Sequence, residues 1–207
     1  MIKSILNIAG GKISPIEYPE WKTDLYSDTN FMVNLDQMYL NAVPVETILN
    51  QHIILPKLGN NPVLQTYYCN MDIYDFLKRY CLTFDGIAMY RFLEHVPKVD
   101  ILFFIYLLST TVKVGGFVDV IVPDYQKLAK RIIEEDVSDE NFEAEDIITT
   151  FELLNEPSNS PHASIWTFDR AIHFFELEGR FKVRQLNRNY YFDGRDIYLR
   201  FLAERIK

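Results

Sequence analysis

His95 and Glu94 stand just after a short strand-like run, Gly86-Ile87-Ala88-Met89-Tyr90. Imidazole titrates near neutrality, so His95 is the best candidate in the chain for a general base acting on a hydroxyl or an amine. Asp36 and Asp72 follow other apolar runs, and Asp24 follows Trp21-Lys22-Thr23. At a strand end a carboxylate can accept hydroxyl or amino protons. Ala9-Gly10-Gly11 closes the first apolar run. A glycine turn lets the backbone approach a ligand closely, because no Cβ intrudes. His162 and Trp166 lie on a loop expected to return toward the same region. The four His and two Cys are scattered and show no metal-ligand spacing.

These residues need elements to hold them. Strand-like runs are Ser4–Ile8, Phe31–Leu35, Val63–Tyr68, Gly86–Tyr90 and Phe117–Val122. Helical segments are expected over 44–58, Ile73–Tyr80, Asp100–Thr111, Tyr125–Glu135 and 147–154. The helix at Asp100–Thr111 is apolar almost all round and is predicted to be well buried, with Gly115-Gly116 ending it in the left-handed manner. Thr167 or Asp169 caps a later helix to about Leu177, which Gly179 ends. Phe181–Asn187 and Asp196–Leu202 read as a final hairpin turning at Asp193-Gly194. Strand–helix alternation predicts an α/β fold with a mostly parallel sheet, helices on both faces and ligands at the carboxyl ends of the strands.

The ordered motifs resemble a known family. Leu6-Asn7-Ile8-Ala9-Gly10-Gly11 is similar to the first motif of class I S-adenosylmethionine (SAM)-dependent methyltransferases. Phe84 to Val96, ending in Leu93-Glu94-His95-Val96, is similar to that family's fourth-strand motif. Val114-Gly115-Gly116-Phe117 with Val122-Pro123-Asp124 resembles the stretch around its fifth strand. His162 to Thr167, then a helix and Gly179 to Val183, resembles its late segment. The resemblance spans most of the chain except about 38–62 and 134–155.

The resemblance implies a Rossmann-like class I methyltransferase fold as one domain over 1–207, with a seven-stranded sheet and a C-terminal antiparallel hairpin. It implies SAM as cofactor, held by Asn7, Ala9, Gly10, Gly11, Met71, Asp72, Tyr90 and Glu94. The ribose acid is Asp36, about 25 residues past Gly11 and near the usual spacing of about 20, or its rival Asp24. Asp72 would meet the adenine amino group, or cap the next helix, or do both. Glu94 would hold the loop beside the cofactor. His162 and Trp166 would contact the methyl acceptor, although Trp166 reads equally well as a staple for the helix after it.

Ala9 stands where the family places the first glycine of its turn, and an insert follows Asp36. These departures leave an alternative, a degenerate module that binds or assembles without catalysis. A nicotinamide enzyme is disfavoured, because Gly11 is followed by Lys12-Ile13-Ser14-Pro15 rather than by the rest of a Gly-x-Gly-x-x-Gly turn.

Bulk properties narrow the partners. The 207 residues suit one domain with a sizeable core. The formal charge of -8 comes largely from 134–146, which holds eight acids and no Lys or Arg. No basic stripe is present, which argues against tight nucleic-acid binding and leaves a small or sugar-like substrate. Cys69 and Cys81 form no CxxC pair, so a reducing cytoplasm is expected.

Overall fold

Short runs rich in Val, Ile and Phe become strands because branched and aromatic side chains pack well on a pleated surface. The computed structural model describes residues 3–8, 29–35, 65–69, 71–134, 163–187 and 198–207. Its strands are β1 (Lys3–Ile8), β2 (Thr29–Leu35), β3 (Gln65–Cys69), β4 (Phe84–Tyr90), β5 (Val112–Pro123), β6 (Phe181–Asn187) and β7 (Tyr198–Arg205). Its helices are α1 (Ile73–Arg79), α2 (Ile101–Thr111), α3 (Tyr125–Glu134) and α4 (Phe168–Glu176). The segments predicted as helices over 44–58 and 147–154, and the turn at Asp193-Gly194, lie outside the described residues.

The architecture is α/β and Rossmann-like. One seven-stranded sheet runs in the order β3-β2-β1-β4-β5-β7-β6. The five strands from β3 to β5 pair in parallel, and β7 is antiparallel to both β5 and β6. Strand order reverses at β1, which lies between β2 and β4. Such a reversal opens a crevice beyond the carboxyl ends of the strands. Ile8 sits opposite both Leu35 and Met89, and Leu35 sits opposite Cys69. The ends of β1, β2, β3 and β4 are therefore level.

Alternate residues of β1, β2, β4, β5 and β7 feed two separate cores. Leu6, Val33, Ile87, Val120 and Phe201 join the cluster that α1, α2 and α4 cover. Ile5, Met32, Ala88, Ile121 and Leu202 form the cluster on the other face. Burial on both faces explains why β4 and β5 read as nearly unbroken apolar runs.

Three sequence expectations need correction. Gly115-Gly116 does not end α2. The helix stops at Thr111 and β5 begins at Val112, so both glycines lie inside a strand. The left-handed conformation is real, with Gly115 at φ 80°. It serves a bulge, where Phe84 and Gly86 of β4 face Val112 and Phe117 of β5. A Cβ on Gly116 would lie 2.5 Å from the Asp85 carbonyl oxygen. Helix α2 is also less buried than its composition suggests, since Leu102, Phe103 and Tyr106 are 43%, 48% and 39% exposed. They occupy the side away from the sheet, where Phe103 stacks on Tyr74 and the Arg180 guanidinium covers Tyr106. The final strand runs to Arg205, three residues beyond its predicted end.

Candidate functional site

The level strand ends place Met71-Asp72 after β3 and Arg91 to His95 after β4 along one edge of the sheet. Ala9, Gly10, Gly11, Asp24, Asp36 and His162 lie outside the described residues. Of the sequence-derived site residues, the structure therefore brings Met71, Asp72, Glu94 and His95 to this edge.

Asp72 is exposed and caps α1, its Oδ1 accepting from the backbone N–H groups of Tyr74 at 2.9 Å and Asp75 at 3.2 Å. Met71 is half-buried and packs against the main core. The cap reading of Asp72 thus holds, and it leaves the residue at the rim.

Leaving β4, the chain turns sharply. Arg91 adopts φ 54°, uncommon for a residue with a Cβ, and its N–H donates to the Ile121 carbonyl at 2.7 Å. Leu93–His95 then form one 3-10 turn, closed by the His95 N–H on the Phe92 carbonyl at 2.9 Å. His95 is half-buried at the end of this turn.

Glu94 is the unusual member of the turn. Its side chain is fully buried, and neither carboxyl oxygen has a hydrogen-bond partner among the described residues. Burial pushes its carboxyl up to about 8, against the weaker opposing pull of its own backbone N–H and of the Arg91 charge. Its backbone is well engaged, because the N–H groups of Ala163 and Ser164 both donate to the Glu94 carbonyl, at 2.8 and 2.9 Å. Burial and the nearby Glu94 charge also push the Tyr125 hydroxyl above its ordinary range.

The side chains of two residues expected near the ligand make structural contacts. Tyr90 is buried, and its hydroxyl donates to Asp119 Oδ2 at 2.7 Å. Asp119 in turn pairs with Arg200, so the Tyr90 side chain belongs to a buried network rather than to the open edge. Trp166 is fully buried, its indole N–H donates to Ser164 Oγ at 2.9 Å, and its ring packs on Phe174 and Phe175. It offers no surface to a methyl acceptor and acts as the anchor of α4. Asn7 is also fully buried, within β1 rather than beyond its end.

Sequence reasoning missed the Asp119–Arg200 pair and Tyr125. Asp119 looked like one polar residue in an apolar strand, and only the placement of β7 beside β5 reveals its partner. Asp124 follows β5 and caps α3, its Oδ1 accepting from the N–H groups of Gln126 at 3.1 Å and Lys127 at 3.3 Å. Among the described residues no group of three His, Cys, Asp or Glu could hold a metal ion, and no helix is long and apolar enough to cross a membrane.

Sheet order, parallel core and antiparallel β7 define the fold of class I SAM-dependent methyltransferases. Solved structures agree with this assignment. The apo form of SibL, a SAM-dependent methyltransferase, matches with TM-score 0.57 and 12% identity over 100% of this chain and 51% of SibL. The complex of DhpI with SAH matches with TM-score 0.54 and 12% identity, covering 98% of this chain and 76% of DhpI. A SAM-dependent methyltransferase from Archaeoglobus fulgidus matches with TM-score 0.52 and 13% identity, covering 99% and 86% of the two chains. This chain thus spans about half the length of SibL. No family model matches the chain, and no curated protein matches its sequence.

Proposed function

We propose that this chain is a SAM-dependent methyltransferase that acts as a single domain on a small or sugar-like acceptor. The observation that carries this reading is the level carboxyl ends of β1 to β4 at the point where strand order reverses. Ligands of open α/β sheets bind in that place.

The residues at this edge fit the cofactor. Asp72 is exposed there and makes its capping bonds through Oδ1 alone, which leaves Oδ2 for an adenine amino group. The half-buried Met71 lies beside it to pack on an aromatic ring. Gly10 and Gly11, directly after β1, would take the amino-acid portion, with Asn7 and Ala9 shaping the turn. Asp36, directly after β2, would take the ribose hydroxyls, with Asp24 as the rival. SAM would supply an electrophilic methyl group, whose transfer depends mainly on orientation and proximity. His95 would accept the proton of a hydroxyl or amine acceptor. Glu94 would hold the turn that presents His95, and His162 would meet the acceptor. DhpI has been solved with SAH, which supports a sulfur nucleoside as the ligand of this fold.

Calorimetric titration with SAM and S-adenosylhomocysteine, with NADH as control, tests the reading. Binding of either sulfur ligand at roughly micromolar Kd is the expected result. No heat from either at about millimolar ligand, roughly the weakest affinity such a site would show, would make the chain a non-catalytic module instead.

A further inference from the structure

Ala163, Ser164, Ile165 and Trp166 form an irregular strap across the ligand edge. Two N–H groups of the strap donate to the Glu94 carbonyl, and Ser164 Oγ donates to the Leu93 carbonyl at 3.1 Å. At its far end the Trp166 carbonyl accepts from the Tyr125 N–H at 3.2 Å. The strap therefore joins the turn after β4 to the helix start after β5. The Glu94 carboxyl is enclosed at this junction, and both its oxygens lack partners among the described residues.

We propose that Glu94 and the strap Ala163–Trp166 form a proton-controlled latch, closed while the Glu94 carboxyl is neutral and released when it ionises. A buried carboxylate without hydrogen bonds is strongly disfavoured, so ionisation must be accompanied by entry of water. The groups facing Glu94 do little to prevent this. Its own turn contributes the exposed Arg91 and the adjacent His95. Helix α3 contributes Tyr125, which stays neutral. The strap itself carries no titratable side chain. The Ala163–Ser164 end of the strap is held by hydrogen bonds to the backbone of Leu93 and Glu94, so water reaching the carboxyl would part those bonds while Trp166 stays anchored in the core. The latch rests on these contacts alone. Its meaning as an entry gate for a ligand rests on the methyltransferase reading.

Amide hydrogen exchange at Ala163 and Ser164 tests the latch directly, because these N–H groups bond to Glu94 itself. Rates are corrected for the intrinsic pH dependence of exchange. Protection should fall by roughly tenfold or more between about pH 6 and about pH 8, then level off. In Glu94→Gln it should be independent of pH. A carbon NMR titration of the Glu94 carboxyl in the unaltered protein should track the same change, with a midpoint near 8. Three results would overturn the latch: protection independent of pH in the unaltered protein, an equal fall in Glu94→Gln, or a midpoint in the ordinary carboxylate range. If Glu94→Gln does not fold, agreement of the two wild-type titrations decides. Failure of S-adenosylhomocysteine to bind would remove the proposed function and leave the exchange result standing.

Discussion

Arg200 on β7 holds Asp119 on β5 with two bonds, Nη2 to Oδ2 at 2.6 Å and Nε to Oδ1 at 3.0 Å. The two side chains are 3% and 0% exposed. A pair buried this deeply gains Coulomb energy but loses hydration, so its net effect on stability is small. Loss of one partner is different, because the other charge stays behind. Arg200→Met should lower unfolding free energy by roughly 3–5 kcal/mol. Adding Asp119→Leu should restore most of that loss. Urea denaturation measures both, and a single variant that loses little would show that water reaches the pair.

Glu94 makes stability depend on pH in an unusual direction. Burial raises its carboxyl from the ordinary 4.5 to about 8 in the folded protein. The neutral form favoured by folding is then fully present below about 4.5, and its benefit is lost as pH rises toward about 8. In that window the unfolded chain is ionised at this position while the folded chain is not, so stability falls with pH. Glu94→Gln removes this dependence. Its melting temperature should gain on the parent progressively from about pH 4.5 to about pH 8, by an amount worth a few kcal/mol at the upper end. Equal slopes for the two proteins would show that Glu94 is hydrated in the folded state.

Gly115 and Gly116 fail to accept a side chain for different reasons. Around Gly115 there is open space, so Ala costs only the left-handed backbone, roughly 1–2 kcal/mol. At Gly116 a Cβ would meet Asp85 O at 2.5 Å and Lys113 O at 2.9 Å, both of them backbone. The bulge would have to shift, at a cost of roughly 1–3 kcal/mol or more. Thermal melts should therefore rank Gly116→Ala below Gly115→Ala.

The two candidate ribose acids separate cleanly by binding. Asp36→Ala should weaken S-adenosylhomocysteine binding by at least roughly tenfold, the scale of a lost charge-assisted hydrogen bond. Asp24→Ala should leave it nearly unchanged. Calorimetry of both variants decides, and the opposite result would transfer the ribose role to Asp24.

The sequence was most informative where local chemistry and tertiary packing agree. Strands β1, β2 and β4 and helices α1 and α4 lie close to where their apolar patterns put them, and Thr167 caps α4 as one of two candidates. It misled where a residue's role depends on a distant neighbour. Gly115 has the backbone of a helix terminator, and only pairing with β4 reveals it as part of a bulge. Trp166 was open between an acceptor contact and a staple for α4, and the partner that fixes its indole N–H, Ser164, is itself held by the Leu93 and Glu94 carbonyls. Tyr90 lies at a strand end, yet its hydroxyl is claimed by Asp119, 29 residues later. Partnerships of this kind span several elements, and no periodicity carries them.

The position of β7 has a consequence for the order of assembly. Residues 198–205 come after β6 in the chain, yet they fill the gap between β5 and β6. Until they arrive, β6 can pack on α4 but has no strand to pair with, and the outer backbone of β5 is left without its neighbour. The parallel strands and their helices can gather early, as the segments emerge in order. The last part of the sheet must wait, and then closes with two strands together. The sheet is thus sealed by a wedge rather than extended by an edge.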